Sequence, residues 1–282
     1  MSDERPIGVF DSGVGGLSVL HEIRRELPGE SVLYVADSGY APYGDRPATY
    51  IEERADAITD FLVARGAKAV LVACNTATSV AVERLRARHA LPIVAIEPAV
   101  KPAVTSTRTG IVGVLATTVT LQSPNVVRLL ATYGAGTTVI SQPCPGLVDL
   151  VEQGDVSSAA ARAAVTRYVT PLVERGADTL VLGCTHYVFL EPLIREVAGP
   201  HVAVVNPAPA VVRQLRRRLE AQGLLAPSGA TPSEQFFCSG DARIVSGVLT
   251  TLWGRLVSAH PLPPAAALPA AGSPDAPVAD RA

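Results

Sequence analysis

Residues 66–76, Gly66-Ala67-Lys68-Ala69-Val70-Leu71-Val72-Ala73-Cys74-Asn75-Thr76, return 110 positions later as Gly176-Ala177-Asp178-Thr179-Leu180-Val181-Leu182-Gly183-Cys184-Thr185-His186. Two further segments repeat in the same order. Val94-Ala95-Ile96-Glu97-Pro98-Ala99 parallels Ala203-Val204-Val205-Asn206-Pro207-Ala208 at an offset of 109, and residues 7–12 parallel 112–117 at 105. One such match is what any two buried parallel strands would give. Three in order at nearly one offset imply two copies of a single unit.

The unit itself is α/β. Apolar runs at Ile7–Phe10, Val32–Ala36, Ala69–Val72, Ile93–Ile96, Ile111–Leu115, Thr137–Ile140, Thr179–Leu182, Val202–Val205 and Gln235–Cys238 are mostly continuous rather than alternating, as in strands covered on both faces. Amphipathic stretches lie between them. After Pro47, residues Ile51, Ala55, Ile58 and Leu62 share a helical face, with Thr49 and Glu52 spaced as a capping box. Strands alternating with helices predict two α/β domains with mainly parallel sheets. The echo places the second domain at 99–206 and builds the first from 1–98 plus 207–258. Residues 259–282, rich in Pro and Ala without periodicity, are expected to form a disordered tail.

Composition removes several function classes. Lys+Arg 24 against Asp+Glu 26 is too balanced for a protein that binds a nucleic-acid backbone, and the Arg-rich stretch Val211–Leu219 reads as a solvated helix face. No apolar run approaches the ~18–20 residues of a membrane span. The N-terminus has no basic and apolar leader, so the expected address is cytoplasmic. Lys68 and Lys101 are the only lysines, which leaves little for Schiff-base chemistry. Four widely spaced cysteines and five histidines show no CxxC pair and no metal-ligand spacing, so no metal is expected.

Each copy of the unit sets a cysteine just past a buried strand, followed by polar residues that can open a helix. That edge of an open α/β sheet is where ligands bind. Facing units would bring Cys74 and Cys184 to opposite walls of one interdomain cleft. There two acid/base groups can take a proton from one face of a carbon and return one to the other, inverting its configuration. Asn75, Thr76 and Thr185 offer donors for a carboxylate. Cys144 and Cys238 lack such neighbours and read as packing residues. Asp11-Ser12-Gly13-Val14-Gly15-Gly16 permits a backbone nest for an anion or simply a tight turn. Pro42-Tyr43-Gly44 offers backbone N–H groups and a phenol to a second carboxylate, or is a plain turn. Asp37 is either a helix cap or part of a charge network at the cleft.

Together, Phe10-Asp11-Ser12-Gly13-Val14-Gly15-Gly16-Leu17, Pro42-Tyr43-Gly44, Cys74-Asn75-Thr76-Ala77 and Gly183-Cys184-Thr185-His186-Tyr187 resemble the glutamate racemases of the aspartate/glutamate racemase superfamily, over about Ile7 to Asp241. The resemblance implies two three-layer α/β domains related by pseudo-twofold symmetry, with the active site between them. It implies interconversion of L- and D-glutamate without a cofactor, D-glutamate serving peptidoglycan synthesis, and assembly as a homodimer. Carried across, Cys74 would act on the α-proton of D-glutamate with help from Asp11, and Cys184 on that of L-glutamate with help from His186. Ser12, Pro42, Tyr43, Gly44, Asn75, Thr76 and Thr185 would hold the substrate, joined by Asp11 and His186. Glu152 matches an acidic position near the second cysteine, and Thr117 and Thr120 match a cleft-lining stretch. The chain departs from the family pattern after Asp37, where Ser38-Gly39-Tyr40-Ala41 intervenes, and at Val126, where a tyrosine is common. Competing readings are an aspartate racemase, a non-catalytic dicarboxylate-binding protein and a redox dithiol.

Overall fold

The computed structural model describes residues 3–134 and 136–263. Ten strands occur among them: β1 (Ile7–Asp11), β2 (Val32–Ala36), β3 (Ala69–Val72), β4 (Ile93–Ala95), β5 (Ile111–Ala116), β6 (Thr138–Pro143), β7 (Thr179–Leu182), β8 (Ala203–Val205), β9 (Glu234–Cys238) and β10 (Ala259–Pro261). The helices are α1 (Leu17–Glu26), α2 (Ala48–Ala64), α3 (Asn75–Arg88), α4 (Val100–Ser106), α5 (Thr118–Gln122), α6 (Pro124–Tyr133), α7 (Leu147–Glu152), α8 (Ala159–Glu174), α9 (Glu191–Ala198), α10 (Ala208–Ala221) and α11 (Ala242–Trp253).

The strands form two sheets, ordered β10-β9-β2-β1-β3-β4 and β6-β5-β7-β8, and every pairing is parallel. The echo has a topological counterpart. Strands β2-β1-β3-β4 and β6-β5-β7-β8 follow the same order, so each repeated segment occupies the same place in its own sheet. In the first sheet, side chains alternate between two cores, as the period of two requires. Ile7, Val9, Tyr34 and Leu71 pack with Leu17, Leu20 and Ile23 of α1 and Val212 and Leu215 of α10. Phe10, Val35, Val70 and Val72 pack with Ile51, Ala55, Ile58 and Leu62 of α2 and Ala81 and Leu85 of α3. The first of these cores continues into the second sheet through Leu115, Leu180 and Leu182 with α7–α9, joining the two units in one apolar body.

Two local expectations need correction. Thr49 does not cap α2: the helix begins at Ala48 behind Pro47, whose fixed φ suits a helix start, and no side chain caps it. The tail also begins later than expected. Ala259–Pro261 adds a strand to the first sheet beside β9, and Leu262 packs against Phe237 and its neighbours. The rest of the expected tail, 264–282, lies outside the described residues. The Arg-rich helix α10 buries Val211, Val212, Leu215 and Leu219 and turns Arg213, Arg217 and Arg218 outward. No helix among the described residues is long and apolar enough to cross a membrane.

Candidate active site

Ser12, Asp37, Cys74, Thr117 and Cys184 all follow the carboxyl ends of strands, and those ends meet at a narrow cavity. It is lined by Ser12, Pro42, Tyr43, Gly44, Cys74, Asn75, Thr76, Thr117, Val148, Cys184, Thr185 and His186. Every one of these except Val148 carries an expectation from the sequence. Both thiols are on its wall, one from each unit.

The two sulfurs have different surroundings. Cys74 caps α3, its Sγ accepting the Ala77 N–H at 3.4 Å and donating to Ser12 Oγ at 3.6 Å. Burial pushes this thiol far above its ordinary pKa, and the nearby Asp11 carboxyl pushes the same way. Cys184 instead has an imidazole beside it, with His186 Nδ1 3.8 Å from Sγ. Burial disfavours charge on that ring, but its hydrogen bonds to Cys184 and Glu152 and the charge of Asp11 outweigh it. The His186 pKa is raised well above the ordinary histidine value. The imidazole stands beside Cys184, while Cys74 has the Ser12 hydroxyl instead. The Cys74 sulfur is held as the neutral thiol.

Behind the wall lies a chain of contacts between the units. His186 Nε2 is 2.6 Å from Glu152 Oε1, and that oxygen also accepts the Val14 N–H at 2.7 Å. Asp11, fully buried, accepts from Ser12 N at 2.8 Å and from Thr185 Oγ1 at 3.1 Å, and lies 3.9 Å from His186 Nδ1. Burial raises the Asp11 pKa, and Glu152 adds to the effect while His186 opposes it. The glycine loop thus does meet an anion, but it is the protein's own Glu152. A Cβ on Gly13 would stand 1.9 Å from Glu152 Oε1, and one on Gly15 would stand 2.3 Å from His186 Nδ1. These two glycines let the loop backbone press against the Glu152–His186 pair.

On the other side, the hydroxyls of Thr76, Thr117 and Thr120 form a triangle with sides of 2.9–3.1 Å that crosses between the units. Thr120 itself stays behind the wall, as do Asp11 and Glu152. The Asn75 amide is buried with both its N and O atoms unpartnered, ready to bond a guest. Tyr43 uses its hydroxyl differently from the sequence expectation of a ligand donor: the phenol is hydrogen-bonded to Asp37, leaving its ring and backbone to the cavity. Sequence reasoning missed Val148, which reaches the wall from α7, and Arg54, which holds Asp37 from α2. Neither belongs to a motif, and only the folded arrangement brings them here.

The family model described as Asp/Glu/Hydantoin racemase matches residues 7–215. The chain is 54% identical over 261 residues to the glutamate racemase of Methylococcus capsulatus, covering 93% of this chain and 96% of that one. Among solved structures it resembles a glutamate racemase isoform of Bacillus anthracis, with TM-score 0.84, 32% identity, and 93% and 98% of the two chains covered. It also resembles the Escherichia coli glutamate racemase solved with L-glutamate, with TM-score 0.81, 32% identity, and 92% and 98% covered. Matches of this extent, on a chain with two like parallel-sheet domains, decide the assignment: the chain belongs to the glutamate racemases, amino-acid racemases of the Asp/Glu/hydantoin racemase family.

Proposed function

We propose that the protein interconverts L- and D-glutamate by proton transfer between Cys74 and Cys184 on opposite faces of the α-carbon. Two thiols on the wall of one cavity, one from each repeat, are the observation that carries this reading. In the L-to-D direction the Cys184 thiolate takes the α-proton and the Cys74 thiol delivers its own to the other face. The enzyme is left with a Cys184 thiol and a Cys74 thiolate, and it resets by exchanging protons with solvent or by turning over D-glutamate. The His186 ring beside Cys184 and the burial of the Cys74 thiol support this assignment of base and acid in the L-to-D direction.

Positioned acid–base transfer contributes about 10²–10⁴-fold, so the cleft must also stabilise the carbanion as it develops. Asn75, Thr76 and Thr185 are assigned to one carboxylate, and Ser12 with the Tyr43 and Gly44 backbone to the other. Pro42 and Thr117 complete the wall, with Thr120 holding Thr76 and Thr117 from behind. Asp11 serves the Cys74 side, while Glu152 acts through His186 on the Cys184 side.

This reading carries with it the division into 1–98 plus 207–258 and 99–206, a cytoplasmic homodimer, and supply of D-glutamate to peptidoglycan synthesis. Circular dichroism of L-glutamate incubated with the protein and no added cofactor tests it. Decay of the signal to zero supports the reading. A stable signal, or preferential inversion of aspartate, rejects it.

A further inference from the structure

Arg54 heads the large side chains that the fold encloses completely, with 1% of its surface exposed. Its Nε and Nη2 grip the two oxygens of Asp37 at 2.9 and 2.6 Å, and Asp37 is itself fully buried. The oxygen bonded to Nε also accepts the Tyr43 hydroxyl. The guanidinium lies over the Tyr40 ring, 3.7 Å from its centroid. Three residues of the connection from β2 to α2 therefore converge on one side chain of α2. A buried ion pair is a poor stability device, because well-packed apolar residues of equal volume often serve as well or better. Its value here is directional: a planar fork fixes a carboxylate in both distance and angle.

What the fork fixes is a wall of the cavity. Pro42, Tyr43 and Gly44 face the space between the sulfurs, and Tyr43 is tied to Asp37 directly behind. The wall also abuts the second unit, since a Cβ on Gly44 would stand 3.0 Å from Thr117 Cβ. The wall therefore has little slack in either direction.

We propose that Arg54 is a positioning residue which, through Asp37 and Tyr43, sets the distance of the Pro42–Gly44 wall from the two thiols. It thereby sets the chain length of the acidic amino acid the cleft accepts. The inference rests on the racemase reading above, with the far carboxylate of the substrate meeting this wall. Glutamate and aspartate differ by one methylene, and a pocket that fits one of them discriminates by about 10- to 200-fold. Loosening the wall costs the fit to glutamate more than it costs the chemistry at the α-carbon.

Arg54→Lys keeps the charge and loses the fork. Tyr43→Phe keeps the ion pair and cuts the wall loose from it. Each is compared with the unmodified protein for kcat and KM on L-glutamate, and for α-deuterium uptake by glutamate and aspartate in competition in D2O, read by NMR. The expected result for Arg54→Lys is a KM raised about 10-fold, kcat changed less than about 3-fold, and a glutamate-to-aspartate ratio reduced about 10-fold, with Tyr43→Phe moving all three in the same direction. A lower melting temperature with an unchanged ratio and unchanged KM in either folded variant overturns the proposal. If Arg54→Lys fails to fold, Tyr43→Phe decides alone. An unmodified protein that exchanges neither amino acid overturns the racemase reading instead, before any variant is compared.

Discussion

Glu152 Oε1 lies 2.6 Å from His186 Nε2, on the far side of the imidazole from the Cys184 sulfur. In the proposed mechanism the carboxylate acts on the thiol through the ring. Glu152→Gln removes its charge and keeps its shape. A hydrogen bond to a charged group is worth about 1.5–3 kcal/mol, which corresponds to one or two pH units. The hydrogen bonds to Cys184 and Glu152 raise the His186 pKa, so losing one lowers it. The alkaline fall in kcat should move about one to two units toward acid in Glu152→Gln, while the fold and melting temperature change little. A profile superimposable on that of the unmodified protein would show that Glu152 does not act through the ring.

The glycine loop supplies a steric test of the same pair. Gly15→Ala aims a methyl group at His186 Nδ1, and Gly13→Ala aims one at the Glu152 carboxylate. Neither partner can retreat without giving up its hydrogen bond. Overpacking of this kind costs about 1–3 kcal/mol of stability. Turnover should fall more than about 100-fold in Gly15→Ala, since a catalytic group displaced by about 1 Å costs on that scale. Denaturant melts and initial rates on the same preparations separate the two effects.

Replacing either thiol tests the division of labour. L- and D-glutamate have equal free energy in water, so kcat/KM must be equal in the two directions for any variant. Cys74→Ser and Cys184→Ser should each lower both values by at least about 10²–10⁴-fold, because the missing group is the base in one direction and the acid in the other. Polarimetric rates from each enantiomer check this. A variant with near-normal rates would exclude its cysteine from the proton path.

Away from the cleft, Asp178 links the α4–β5 connection to the start of β7. Burial works against its charge, yet it accepts hydrogen bonds from Thr107 Oγ1, Arg108 N, Thr109 N and Thr179 Oγ1, and these bring its pKa down to about 2. A depressed carboxylate stabilises the fold above its unfolded pKa near 3.9, and that contribution is lost as pH falls toward 2. Asp178→Asn should cost about 2 kcal/mol at pH 7 and should flatten the fall in stability between about pH 4 and pH 2. Urea titrations across that range provide the check.

The sequence makes the sheets legible because buried parallel strands are continuous apolar runs. Residues 32–36, 69–72 and 179–182 form strands with the bounds expected of them. It hides β10, whose Ala-His-Pro sequence carries no strand pattern and is held at the sheet edge by pairing with β9. Site residues that belong to a repeat, such as Cys74 and Cys184, can be placed at a strand end before any coordinates exist, and Tyr43 in the connection after β2. The links behind them cannot. Val14 and Glu152 are 138 residues apart in the chain, and Arg54 reads as an ordinary polar position on an amphipathic helix. Glu152 is brought to Val14 by the docking of one unit on the other, and Arg54 to Asp37 by the packing of α2 on the first sheet, and no local pattern encodes either.

Two bases on opposite faces leave an isotopic signature that one base does not. The direct measurement is ¹H NMR and chiral separation of L-glutamate incubated with the protein in D2O, sampled over the first few per cent of conversion. The account predicts that D-glutamate carries α-deuterium from the first sample while the remaining L-glutamate keeps its proton. D-glutamate that retains the original α-proton, or L-glutamate that gains deuterium ahead of inversion, would contradict it.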